Sequence, residues 1–311
     1  MNVGVFLNYI GLGSNILHLS YCHEIAKRYG PITIITLCKN LDQALGDDPN
    51  IKEVIIIKKN KKITDILDIS SSLKKILLDK IFIFYPSPRL YIAAKLAGIK
   101  KIYHYPLFKK KNLHLINAAN KFTCESLNIS SCPTETKFFV NDDKINKAKK
   151  YFSKNHYNIV IGAGSSGPDT RWGGTNFISL INKLNENGNY YFYIQCGPEQ
   201  NEISKNIIDK IKKKNCMDLS KMNISEIIPI LYLCDLYVGN DSFSHHITSQ
   251  CNKPSIVLLL NSPKAYSDYS KNHHRIIPEN AKLEELDHSS NYKANSISIE
   301  KVYNKIIELK N

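Results

Sequence analysis

The chain has 311 residues, 43% of them hydrophobic and 23% charged, with a formal net charge of +14 carried almost entirely by lysine. That length holds two domains of about 150 residues, and no run approaches the ~18 apolar residues of a membrane span. The lysine excess reflects background base composition in the larger part, and its functional reading is attraction to anionic partners; with no basic run interleaved with aromatics, an anionic membrane surface ranks above nucleic acid. The eight cysteines are scattered without metal-like spacing, which predicts reduced thiols and no zinc site.

Val3 to Leu7 reads as a first strand rather than a signal peptide. It ends in a turn containing Gly11 and Gly13, and a helical pattern then runs from Ile16 to Gly30 before a second strand at Ile32 to Leu37. This is a βαβ unit with a Gly-containing turn, although G-L-G-S-N lacks the third glycine of a dinucleotide fingerprint. Strand-like runs recur at Val54–Ile57, Ile81–Phe84 and Lys101–Tyr103, alternating with helical segments near Ile63–Leu78 and Tyr91–Ala97. Pro86-Ser87-Pro88-Arg89 follows a strand end and either lines a cleft or caps a helix. Lys109-Lys110-Lys111 reads as a solvated basic knuckle.

Periodicity lapses between Ser130 and Val140, which places the linker there, and Asp142 opens a polar helix. The second half restarts with a strand at Asn158–Ile161 and a small-residue loop, Gly162 to Trp172, carrying the only Trp and one of four Arg. A helix at Phe177–Leu184, a strand at Tyr190–Gln195 with the exit Cys196-Gly197-Pro198-Glu199, and a helix capped at Ser225 follow. The stretch Leu236 to Leu260 is strand, polar turn, helix, strand, and its turn Asn240-Asp241-Ser242 is richer in polar groups than a structural turn requires. Such a turn at a strand's carboxyl end, beside the free N–H groups of a helix, is a natural ligand cradle. The expected fold is α/β: two Rossmann-like doubly wound domains, 1–140 and 141–311, facing a cleft.

Four pieces carry a resemblance: the N-terminal strand and Gly-containing turn, G-A-G-S-S-G-P-D-T-R-W, C-G-P-E-Q-N-E, and D-L-Y-V-G-N-D-S-F-S-H-H with its following Lys253-Pro254. In this order and spacing they resemble glycosyltransferase family 9, the lipopolysaccharide heptosyltransferase family, which has a two-domain GT-B fold. The resemblance implies an inverting, metal-independent transferase without a cofactor. Its C-terminal domain would bind a nucleoside-diphosphate sugar, commonly ADP-heptose, and its N-terminal domain would face an anionic glycolipid or polysaccharide acceptor. Asp241 and Ser242 then belong to the donor-phosphate loop and His246 approaches the diphosphate, with His245 an accidental neighbour. A helix cap is the structural alternative for Asp241 and Ser242, and a cap needs only one such residue. Arg171 stands beside the place of the family's lysine, which is Thr170 here, and Glu199 or Glu202 falls near the acidic residue that contacts ribose or base.

Two departures bear on mechanism. The family's Gly-Asp turn, whose Asp is the proposed base, is Gly13-Ser14 here, and a serine without its own activator cannot serve as a general base near neutral pH. His18, one turn on, is the nearest alternative. Phe243 replaces the family's common Gly. The implied function is sugar transfer onto a lipopolysaccharide, lipooligosaccharide or capsule acceptor at the cytoplasmic membrane face. The rivals are a non-catalytic nucleotide-sugar-binding protein and, behind it, a nucleotide-sugar epimerase.

Overall fold

The computed structural model describes residues 1–58, 65–106 and 114–311; the basic knuckle at Lys109-Lys110-Lys111 lies outside the described residues. The chain divides into two units, Met1–Phe139 and Val140–Asn311. Among the described residues no helix is long and apolar enough to cross a membrane.

The first unit strings together β1 (Val3–Leu7), α1 (Leu12–Ile16), α2 (Leu19–Tyr29), β2 (Ile32–Thr36), α3 (Leu41–Leu45), β3 (Ile51–Ile56), α4 (Asp65–Ile76), β4 (Lys80–Ile83), α5 (Pro88–Leu96), β5 (Lys101–His104) and α6 (Leu115–Leu127). Its strands form a parallel sheet in the order β3-β2-β1-β4-β5. The central strands V-G-V-F-L and I-T-I-I-T are buried throughout, as strands covered on both faces must be. Helix α5 ends before Gly98, whose φ of +80° is a conformation that L side chains rarely adopt.

The expected single helix from Ile16 to Gly30 is two. His18 separates α1 from α2: its N–H bonds the Asn15 carbonyl at 3.0 Å, a tightened turn that breaks the α-helical ladder. Helix α6 was not anticipated from the sequence.

The second unit contains α7 (Asp142–Ala148), β6 (Tyr157–Gly162), α8 (Gly174–Glu186), β7 (Tyr190–Gln195), α9 (Asn201–Lys210), β8 (Cys216–Asp218), α10 (Ile224–Leu233), β9 (Leu236–Asn240), α11 (Phe243–Gln250), β10 (Ser255–Leu258), β11 (His273–Ile276) and α12 (Ile299–Lys310). These strands make a parallel sheet ordered β11-β10-β9-β6-β7-β8. Helix α8 packs Phe177, Leu180, Ile181 and Leu184, all fully buried, into the same cluster as Ile159, Ile161 and Val238 of the sheet. At roughly 1.5–3 kcal/mol per buried large apolar side chain, this face anchors the helix. The cap of α10 is not Ser225 but Asn223: the Glu226 carboxylate accepts from the Asn223 N–H at 3.0 Å, the reach-back half of a capping box.

Strand order fixes where ligands can enter. In the second sheet the chain starts centrally at β6, winds outward through β7 and β8, then returns on the other side as β9, β10 and β11. The switch point lies between β6 and β9, and in open sheets of this kind the carboxyl ends of the strands at such a point are where ligands bind. In the first sheet the corresponding switch lies between β1 and β4.

Candidate functional site

Strands β6 and β9 approach closely at a pair of glycines: Gly162, the last residue of β6, pairs with Gly239, the last but one of β9, and a Cβ on Gly239 would stand 2.5 Å from the Gly162 carbonyl oxygen. The space is taken by Tyr237, whose hydroxyl would lie only 1.9 Å from a Cβ on Gly162. That buried phenol donates to the Asn240 carbonyl at 2.9 Å, so in its 3.1 Å contact with Ser242 the serine hydroxyl is the donor. Ser242 occupies the N-cap position of α11 but makes no capping bond from its side chain. The turn is therefore held by Tyr237 from below, while the first N–H groups of α11 have no partner within the helix.

Asn240, fully buried, ties this turn to the loop leaving β6. Its amide donates to the Ala163 carbonyl at 2.8 Å, and its carbonyl oxygen accepts from the Trp172 N–H at 2.9 Å. Trp172 is core: fully buried, with its indole N–H on the Ile297 carbonyl at 2.9 Å. Arg171 beside it is part-buried; one guanidinium nitrogen donates to the Ser165 carbonyl at 3.0 Å, and its Nε is buried without a hydrogen-bond partner. Gln200, in the exit of β7, donates to the same Ser165 carbonyl at 2.7 Å, leaving its Oε1 buried and unpartnered. Two unsatisfied polar atoms thus lie on the loops leaving neighbouring strands, an arrangement that favours a polar ligand. Glu199 and Glu202 are both exposed, Glu199 in the short 3₁₀ turn after β7 and Glu202 in the first turn of α9.

Asp241 and the two histidines form one cluster, and His245 is no bystander. Its Nε2 lies 2.8 Å from Asp241 Oδ1, while His246 Nε2 is 4.0 Å from the same oxygen. His245 Nδ1 lies 3.2 Å from His273 Nε2, His273 Nδ1 lies 3.1 Å from the Ser267 carbonyl, and His246 Nδ1 is 2.7 Å from the Tyr269 hydroxyl. Burial raises the Asp241 carboxyl above its ordinary range against the pull of His246, and burial lowers His245 well below the usual imidazole value. Among the described residues this trio brings one carboxylate oxygen and two ring nitrogens within 4.8 Å of one another. Both Nδ1 atoms are engaged, that of His245 with His273 and that of His246 with Tyr269.

In the first unit, Gly11 precedes α1 with an ordinary extended φ of −73°, and a Cβ there would meet only the Ser14 hydroxyl, at 3.9 Å. The turn does not require glycine for its backbone at that position. Asn15 shapes it, donating to the Tyr9 and Gly11 carbonyls at 3.1 and 2.7 Å and accepting from Thr36 at 2.9 Å. Gly13 and Ser14 lie within α1, and Ser14 is partly exposed. His18 is fully buried, stacked on Tyr9 with centroids 4.9 Å apart, and its Nδ1 donates to the Ser14 carbonyl at 2.7 Å. Burial holds its pKa at about 4, so it is neutral at pH 7. His23 is committed elsewhere, to Asp48 and Thr136 at 2.6 and 2.7 Å. Ser87 and Arg89 line a cavity of about 370 Å³ with Asn8, Lys58, Asp65 and Tyr85.

Of the sequence-derived donor residues, Arg171, Asp241 and Ser242 lie on the loops around the β6–β9 switch, and His246 lies within α11. Sequence reasoning named Asn240 only as part of the polar turn, set His245 aside as an accidental neighbour, and gave no site role to Tyr237, Gln200 or His273. The signal for Asn240 was present, an Asn ending a buried strand; that for His273 was not, since 28 residues separate it from His245.

A family model described as glycosyltransferase family 9 (heptosyltransferase) matches residues 98–294. Lipopolysaccharide heptosyltransferase 1 of Campylobacter coli is 28% identical over 145 residues, covering 45% of this chain and 42% of that protein, so the match spans less than half of the relative's length. A glycosyltransferase family 9 structure from Veillonella parvula DSM 2008 superposes with a TM-score of 0.79 at 18% identity, covering 99% of this chain and 96% of the other. The E. coli ADP-heptose LPS heptosyltransferase II structure gives 0.78 at 16% identity, covering 99% and 98%. At these identities the structures speak to fold, and the two parallel-sheet units have the GT-B architecture.

Proposed function

The chain belongs to glycosyltransferase family 9, and from that membership we propose that it transfers heptose or a related sugar from a nucleoside-diphosphate donor to a lipopolysaccharide, lipooligosaccharide or capsule acceptor. The observation that carries this reading is the meeting of the β6 and β9 exit loops at the switch point, joined through Asn240. We assign the donor to the second unit, approximately 141–311, and acceptor recognition to the first. The diphosphate would lie against the N–H groups that open α11, with His246 and Arg171 supplying positive charge and Glu199 beside the ribose or base. Ser242 would join by turning its hydroxyl from Tyr237. Asp241 suits a sugar hydroxyl better than a phosphate.

The proposed reaction is a metal-independent single displacement with inversion, driven by positioning and by stabilisation of the departing diphosphate. The site of action would be the cytoplasmic membrane face, reached peripherally through the lysine-rich surface. Relatives named for ADP-heptose and for LPS support the donor and acceptor classes. A thermal-shift screen with ADP-, GDP- and UDP-linked sugars tests the reading: the true donor should raise Tm by mass action, and no shift with any of them would remove the donor-site assignment.

A second reading is favoured by Ser14. The residues of α1, Leu12–Ile16, include no carboxylate, and His18 is shielded beneath Tyr9. A protein that binds the donor without transferring it would have this turn. Ser14→Asp separates the two: turnover should rise by roughly 10²–10⁴-fold if only the base is missing, and stay at zero if the protein is a binder.

A further inference from the structure

The hydrogen-bonded chain Asp241–His245–His273–Ser267 has one fixed end. A backbone carbonyl only accepts, so the His273 Nδ1 that lies 3.1 Å from Ser267 O must carry a hydrogen. A neutral His273 then offers a lone pair at Nε2, and the His245 Nδ1 facing it at 3.2 Å must be the donor. That leaves His245 Nε2, 2.8 Å from Asp241 Oδ1, with no hydrogen of its own unless the ring is a cation. A bare carboxylate facing a bare lone pair at that distance is repulsive, so the contact needs a proton. Building on the reading of this loop as a diphosphate site, we propose that Asp241 and His245 share one proton at neutral pH, with His273 as the positioning residue that sets the polarity. The loop then meets its anionic ligand without a net negative charge.

Desolvation agrees in direction at each member: His273 is held at about 4 and so is neutral, His245 is lowered, and the Asp241 carboxyl is raised. The groups facing the pair are His246 on α11, His273 on β11, and Ser262, Tyr266 and His288 from the segments beyond β10. Arg275 also bears on His273, although its guanidinium is paired with Asp268 at 2.8 Å, and the His245 backbone carbonyl lies beside the same ring. The reversed polarity, with His245 Nε2–H on an ionised Asp241, would turn the His273 Nδ1 lone pair onto the Ser267 carbonyl. The Ser267 carbonyl at 3.1 Å opposes it, and the His245 carbonyl beside the same ring is the group that would favour it.

The test is ¹⁵N NMR of histidine-labelled unliganded protein against pH, followed by ADP binding over the same range. At neutral pH hydrogens are expected on Nδ1 of both His245 and His273, with the pair losing a single proton at higher pH. ADP affinity should then fall by about tenfold per pH unit above that titration, as one linked proton requires. His273→Phe removes the acceptor and should move both the titration and the binding limb to lower pH by a unit or more. His273→Gln, which can accept from His245 and donate to Ser267, should restore them. A neutral-pH spectrum with His245 bare at Nδ1 and His273 protonated at Nε2 overturns the proposal without any variant. The expected tautomers with no ADP binding at any pH would uphold the shared proton and instead sink the diphosphate reading.

Discussion

Asn240→Ala should cost about 3 kcal/mol, more than its size suggests. The side chain makes two buried bonds, at 2.8 Å to the Ala163 carbonyl and at 2.9 Å from the Trp172 N–H. Removing it strands both backbone groups where Asn240 and Trp172 are fully buried and Ala163 is 2% exposed. A buried donor or acceptor left unmade costs about 1–3 kcal/mol. The Trp172 N–H belongs near the middle of that range, about 2 kcal/mol, and the Ala163 carbonyl, with a second lone pair, near the lower end, about 1 kcal/mol. For a unit of this size about 1 kcal/mol shifts Tm by roughly 2–4 °C, so the variant should melt about 6–12 °C lower. Trp172 is the only tryptophan of the chain, so its fluorescence during thermal denaturation reads this site directly. Asn240→Asp should be at least as damaging despite its shape, because it sets a carboxylate against the Ala163 carbonyl. A shift as small as a surface substitution gives, within about 0.5 kcal/mol, would refute the claim that Asn240 locks the two loops together.

Tyr237→Phe should lose about 1–2 kcal/mol, measured by denaturant midpoint, because the Asn240 carbonyl loses its donor; donor binding should change less, since Ser242 is then free to turn. Stability should also fall between pH 6.5 and 4. His18 and His273 are held near 4 when folded against 6.5 when free, so the unfolded chain binds more protons in that window. The stability is complete above pH 6.5 and is lost on acidification at up to about 1.4 kcal/mol per pH unit for each ring. A flat urea midpoint across that range would mean these rings are protonated in the folded protein.

The fold was legible wherever burial leaves a continuous apolar run: β1, β2, β6, β7 and β9 all announce themselves because parallel strands are covered on both faces. Edge strand β8, three residues long, and the polar strand β11, H-H-R-I, do not. The cap of α10 was readable as Asn223 with Glu226 three residues on, and Ser225 was the wrong choice because a capping pair outranks a lone serine. At the site, Asp241, Ser242 and His246 stood out by local density. His245 gained its meaning only from His273, which sheet register brings beside it: β11 pairs with β10 through Ser255 and His273. Tyr237 could not be read as a loop support because its role depends on two glycines on two strands.

The most direct test of the whole reading is a structure of the protein with ADP bound. The diphosphate should lie at the N-terminus of α11 between the β6 and β9 exit loops, with the nucleoside toward the β7 exit and the Arg171 and Gln200 atoms that are now unpartnered engaged. ADP seated elsewhere, or a β6–β9 switch left empty while ADP binds in solution, would contradict it.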